Sequence, residues 1–175
     1  MAQNSIFKIA VVGAESTGKT WLCEELAKHY QTAWVPEYAR EYFNDSDIYN
    51  YTLEDLETIA RRQIQLEQEA LKDARKFLFC DTTLVTLKIW AELEFKTVPA
   101  FIARNLSLQQ YNYYFITSNE IPWESDPLRQ NKHGRDLLFQ MNKKEIIQSK
   151  IPYSVISGRE EQRLRNAIKI LNNAF

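Results

Sequence analysis

The chain is poor in several of the materials that define whole classes of protein. Cysteine occurs only twice in 175 residues. Cys23 falls on a helical stretch and Cys80 at the end of an apolar run, so they do not suit one another as disulfide partners. Both read as small buried residues in a reducing cytoplasm. Histidine also occurs only twice, as His29 and His133. The two lie far apart, lack metal-ligand spacing and suit surface or loop positions. No apolar run approaches the roughly 20 residues of a membrane helix. The opening Met-Ala-Gln-Asn-Ser carries neither a charged leader nor a secretory apolar core. A cytoplasmic protein without a membrane partner is therefore expected. Excess charge is missing too: the net charge is −1 and no Lys/Arg cluster dominates. That argues against nucleic acid as a partner. There is no internal repeat, low-complexity tract or interdomain linker, and 175 residues are one domain's worth.

Glycine is scarce as well, with four residues, and two of them stand in one octapeptide. Gly13-Ala14-Glu15-Ser16-Thr17-Gly18-Lys19-Thr20 fits G-x-x-x-x-G-K-[ST] at every fixed position. Ile6–Val12 before it suits a buried strand, and Trp21–Tyr30 after it has helical periodicity through Leu22 and Leu26. Strand, glycine loop and helix turn backbone N–H groups inward on a phosphate. In this pattern residues 13–20 bind ATP or GTP, Lys19 reaches the β- and γ-phosphates, and the Thr20 hydroxyl sits on Mg²⁺.

The rest of the chain alternates between strand and helix. Thr32–Pro36 is a short second strand. Glu37–Phe43 follows, dense in charges and aromatics. Thr52 reads as an N-cap with Asp55 three residues on, opening a helix from Leu53 to about Lys76 with Leu53, Leu56, Ala60, Ile64 and Leu71 near one stripe. Phe77–Asp81 has the form of a buried parallel strand ending in an acid. A helix carrying Leu84, Leu87 and Trp90 comes next, then a short helix from Phe101 to about Leu108. Tyr111–Thr117 is a strand, Asp136 to about Ser149 a helix, Tyr153–Ser157 a last strand and Glu160–Asn172 a last helix. The expected fold is α/β: one three-layer P-loop kinase domain over 1–175, with a parallel five-stranded sheet, helices on both faces and a lid segment at about 121–136. Ligands belong at the C-terminal strand ends.

Several residues outside the loop are candidates for chemistry. Asp81 suits the acid that holds Mg²⁺ through water. Glu37, just after the second strand, suits a carboxylate that accepts a proton from an attacking hydroxyl. Asp81 remains an alternative for that task. Arg40 falls three residues after Glu37, where it either steadies the reacting groups or forms a plain ion pair. Glu15 faces substrate or solvent. Residues 122–135 are too long and polar for a packed connector, and Arg129 and Arg135 there would neutralise charge on a transferring phosphoryl group. Trp34, Tyr38, Tyr42 and Trp90 offer faces to a planar or cationic ring, or serve as core. Together these name a kinase whose acceptor, a small-molecule nucleoside or another small metabolite, stays open; a non-catalytic ATP-binding module is the alternative. Oligomeric state leaves no mark in the sequence.

The octapeptide, Trp34-Val-Pro-Glu-Tyr-Ala-Arg-Glu41, Phe79-Cys-Asp-Thr82 and Ile121-Pro-Trp-Glu-Ser-Asp-Pro-Leu-Arg129 stand in a familiar order and spacing. In these stretches the chain resembles the nicotinamide riboside kinase domain of the bifunctional NAD-biosynthesis regulators, over nearly its whole length. The resemblance implies a P-loop kinase that phosphorylates the ribosyl 5′-hydroxyl of nicotinamide riboside with ATP and Mg²⁺. It places residues 13–20 on ATP, Asp81 on the Mg²⁺ and ribose side, and Arg129 and Arg135 in the lid. An aromatic clamp on the nicotinamide ring falls among Trp34, Tyr38 and Trp90. Where the family often reads Asp-Thr-Asp, this chain has Asp81-Thr82-Thr83, which bears on the ribose contacts. The family's DNA-binding and adenylyltransferase parts do not fall within these residues, so repression and NAD synthesis are not expected of them.

Overall fold

The computed structural model describes residues 5–44, 48–124 and 134–175. The elements alternate as β1 (Phe7–Val12), α1 (Lys19–Tyr30), β2 (Trp34–Val35), α2 (Tyr38–Asn44), α3 (Leu53–Ala70), β3 (Phe77–Asp81), α4 (Leu84–Phe95), α5 (Ala100–Leu108), β4 (Tyr113–Thr117), α6 (Arg135–Ser149), β5 (Tyr153–Ile156) and α7 (Glu160–Ala174). The strands form one five-stranded sheet in the order β2-β3-β1-β4-β5, and every pairing is parallel.

Burial explains the apolar runs. All five residues of β3 and the last four of β1 are buried, because helices cover the sheet on both faces. On one face Ile9, Val11, Phe77, Phe79 and Phe115 pack against α1 and α7 through Leu22, Leu26, Ala167 and Leu171. On the other, Ala10, Val12, Leu78, Cys80 and Ile116 pack with Ile146 of α6. Both cysteines are buried and free, and burial pushes each thiol well above its ordinary pKa. Among the described residues no helix is long and apolar enough to cross a membrane.

Two of the boundaries that differ from the sequence reading have a visible cause. Helix α3 ends at Ala70, not near Lys76, because the chain must turn back to enter β3. Thr32 fixes that turn, accepting the Arg75 N–H at 2.9 Å and donating to the Phe77 carbonyl. Strand β4 starts at Tyr113; just before it the Asn112 side chain takes the Lys8 N–H at 2.7 Å in place of a strand carbonyl, and the Tyr111 hydroxyl donates to Glu67 at 2.6 Å. The buried face of α3 is Leu56, Ile59, Ala60, Gln63 and Glu67, so it includes two polar residues. Glu67 is satisfied by Lys8 at 2.6 Å and by Tyr111. Gln63 holds the Tyr38 N–H and the Pro36 carbonyl. The Thr52 cap is present as a reciprocal capping box with Asp55.

Candidate active site

Strand β1 lies between β3 and β4, and this fixes the site. The register pairs Val11 with Asp81 and Val12 with Ile116. The loop that leaves β1 at Gly13 therefore emerges between Asp81 and Thr117. Gly13 has φ 147°, and a Cβ there would collide with the Thr117 hydroxyl. Only glycine fits that approach. Gly18, at φ 74°, serves as the N-cap of α1. Between them Thr17 bridges the Ala14 carbonyl at 2.8 Å and the Thr117 hydroxyl at 2.6 Å. Lys19 Nζ donates to the Ala14 carbonyl at 2.7 Å, which keeps the ammonium over the loop.

Thr20 Oγ1 donates to Asp81 Oδ2 at 2.5 Å, so the helix start and the end of β3 present a hydroxyl and a carboxylate side by side. Burial and the neighbouring Glu37 charge push the Asp81 pKa up to about 6, against the pull of Lys19, the Thr20 hydrogen bond and Arg40. Glu37 and Arg40 pair at 3.2 Å across one turn at the start of α2. Thr82 adopts φ 67°, an uncommon backbone for a β-branched residue and one that tends to mark functional sites. Thr83 caps α4 by accepting the Val85 N–H at 3.2 Å, a structural use for the position where an acid is common in the resembling family.

Two clefts meet here. One, with a cavity volume of about 310 Å³, runs along Ser16–Trp21 and reaches Glu24, Glu37 and Arg40. The other is narrow, with a cavity volume of about 40 Å³, and has Gly13, Glu15, Lys19, Glu37 and Arg40 at one end and Phe43, Ile48, Ile89, Trp90 and Leu138 as apolar wall. Lys19, Glu37 and Arg40 are shared by both.

The aromatic candidates do not lie together. Side chains alternate along a strand, so Val35 faces the α6 side while Trp34 packs on the α1 side, beside a separate groove with Glu24, Ala27 and Lys28. Tyr38 packs with Tyr42, ring centres 6.2 Å apart, and does not line the second cleft. Trp90 does line it. Arg135 Nη2 donates to the Ile121 carbonyl at 2.7 Å and approaches the Ser16 carbonyl at 3.4 Å, and the Glu124 N–H bonds Ser16 Oγ at 3.0 Å. The described ends of the segment over residues 121–136 thus rest on the phosphate loop. Arg129 lies outside the described residues.

Sequence reasoning missed Arg163. Its side chain is fully buried and holds the carbonyls of Thr17, Gly158 and Ser118, with Nε 2.8 Å from Gly158 and Nη2 3.1 Å from Ser118 Oγ. It thereby ties α7 to the back of the loop. The signal was available: Arg163, Ala167 and Leu171, spaced four apart, are the buried residues of α7.

Comparison with known proteins agrees with this geometry. A family model described as an AAA domain matches residues 8–163. The trifunctional NAD biosynthesis/regulator protein NadR of Salmonella typhimurium is 28% identical over 151 residues, 80% of this chain and 36% of that protein. NadR of Escherichia coli is 28% identical over 144 residues, 76% of this chain and 35% of that protein. The chain thus spans about a third of the length of these curated relatives. Among solved structures, NadR in complex with NR superposes with TM-score 0.81 at 17% identity, over 97% of this chain and 51% of that one. A deoxyadenosine kinase from M. mycoides with bound dATP gives 0.57 at 14% identity, over 95% of this chain and 99% of that one. At such identities the likeness is one of fold, that of the P-loop kinases. From the match over residues 8–163, the chain belongs to the AAA domain family, in its P-loop kinase-like form and related to NadR.

Proposed function

We propose that this chain is an ATP-dependent kinase that phosphorylates the 5′-hydroxyl of nicotinamide riboside, giving nicotinamide mononucleotide. The observation that carries the reading is the meeting of the phosphate-loop cleft and the partly apolar pocket at Lys19, Glu37 and Arg40. In-line transfer needs the acceptor hydroxyl and the γ-phosphate at one point. The NadR structure with NR supports the choice of acceptor.

The residues at that point divide the work. Backbone N–H groups of residues 13–20 cradle the phosphates, and Lys19 exchanges the Ala14 carbonyl for phosphate oxygens. Glu37 accepts the proton of the 5′-hydroxyl as its oxygen bonds the γ-phosphorus and the bond to the β-bridging oxygen breaks, releasing ADP. Arg40 keeps Glu37 oriented through their 3.2 Å pair. Arg135, and Arg129 with it, balance charge on the phosphoryl group. Glu15, Glu37 and the face of Trp90 suit a ring that carries positive charge.

Thr20 and Asp81 would hold Mg²⁺. Their oxygens are hard donors 2.5 Å apart. Among the described residues no cluster of three or more His, Cys, Asp or Glu forms a cage, which fits an ion that takes most of its ligands from water and phosphate. When bound, the ion neutralises charge on the β- and γ-phosphate oxygens.

The test is incubation with ATP, Mg²⁺ and nicotinamide riboside, read by phosphorus NMR. A new 5′-phosphomonoester matched by ADP supports the reading. ATP that stays intact with this acceptor and is consumed with another nucleoside would redirect it.

A further inference from the structure

Two buried polar atoms of the acceptor pocket have no hydrogen-bond partner among the described residues. Asn142 of α6 is 2% exposed, and its Nδ2 donates to the Leu138 carbonyl at 2.8 Å. That bond fixes the amide's orientation, because a carbonyl requires the donor nitrogen. The Asn142 Oδ1 acceptor is buried and has no partner among the described residues. Thr86 Oγ1, on the facing helix α4, is likewise buried and unpartnered among them. A helical threonine usually bonds back to the carbonyl four residues earlier. Here that residue is Thr82, which precedes the helix and has positive φ.

Both residues line the same pocket, beside Ile89, Trp90 and Leu138. Buried polar atoms in folded proteins nearly always have partners, so an orphaned acceptor and an orphaned hydroxyl in one cavity describe the group they await. Asn142 Oδ1 can only accept. The Thr86 hydroxyl can donate. A primary carboxamide answers both, its NH₂ donating to Asn142 and its carbonyl accepting from Thr86. A carboxylate in the same place has no hydrogen to offer Asn142, and it would bring a third acidic group into a pocket that already holds Glu15 and Glu37.

We infer that Thr86 and Asn142 read the carboxamide on the acceptor's ring and set the preference for an amide over an acid at that position. The inference rests on the pyridine-nucleoside reading above. The experiment compares nicotinamide riboside with the analogue carrying a carboxylate in place of the carboxamide, using the wild-type chain, Thr86→Val and Asn142→Leu. Thr86→Val is isosteric and removes a hydroxyl without a protein partner, so its Tm should hold or rise. The wild type should favour the amide at least tenfold in kcat/KM. Thr86→Val should lose tenfold or more on the amide, mostly through KM, while the acid changes less than twofold. Asn142→Leu should narrow the same gap. Equal use of both nucleosides by the wild type, or unchanged amide kinetics in both variants, would overturn the inference while leaving the kinase reading intact. Transfer to neither pyridine nucleoside, with transfer to another nucleoside, would instead remove the acceptor reading on which it rests.

Discussion

Asp81 is pulled in two directions. The fold buries it beside Glu37, and its pKa rises to about 6 in consequence. A carboxyl whose folded pKa is raised prefers to be protonated in the folded state. Its contribution to stability is therefore whole below the unfolded value near pH 4 and is lost as pH rises through about 6. Asp81→Asn should then stabilise the empty protein at pH 7.5 by on the order of 2–3 kcal/mol and leave it unchanged at pH 4. Thermal melts of both proteins at the two pH values check this. The same variant should lose most of its phosphoryl transfer. Lys19→Ala makes the complementary case: among the described residues the hydrogen bond of its ammonium is to a loop carbonyl at 2.7 Å, so transfer should vanish while Tm changes little. The phosphate loop was fully legible because its chemistry is local, eight consecutive residues between a strand and a helix. Thr86 and Asn142 were not legible, because being unpartnered is a property of what surrounds an atom, and the sequence does not show that.

Elements were easier to foresee than their ends. The strand-ending Asp81, the Thr52 cap and the alternation of strand and helix follow from patterns within a few residues. The end of α3 and the start of β4 depend on Thr32 and Lys8, whose partners lie 43 to 104 residues away in sequence, and pattern reading cannot see such partners. Trp34 shows a similar limit, since a two-residue strand leaves too little alternation to tell which face is which. Arg163 gives the element scale its own prediction. It joins α7 to the phosphate loop through carbonyls that would be left without donors. Arg163→Met should cost roughly 2–4 kcal/mol of stability and raise KM for ATP more than it lowers kcat, measurable by denaturant unfolding and steady-state kinetics. Arg135, at the start of α6, should behave in the opposite way. Arg135→Ala should lower kcat by roughly tenfold or more with little change in ATP binding, if its guanidinium engages the phosphoryl group as transfer proceeds. Equal loss in both quantities would make it a binding residue.

At the scale of the whole molecule, the strand order places one loop between Asp81 and Thr117 and one pocket against that loop. The five-stranded parallel sheet and its helices on both faces match the sequence expectation. In the proposed reading, substrate identity depends on finer features: Glu15, Glu37 and Trp90 around a pocket otherwise walled by Phe43, Ile48, Ile89 and Leu138. A cation over an aromatic face gains about 0.5–2 kcal/mol, and flanking carboxylates add to it, so a positively charged ring should be favoured over neutral ones. The most direct test of the central claim is a competition assay. The wild-type chain is given ATP, Mg²⁺ and equal concentrations of nicotinamide riboside, adenosine, cytidine and uridine, and the monophosphates are separated by mass. The account predicts nicotinamide mononucleotide as the dominant early product. A purine or pyrimidine monophosphate in that place would contradict it.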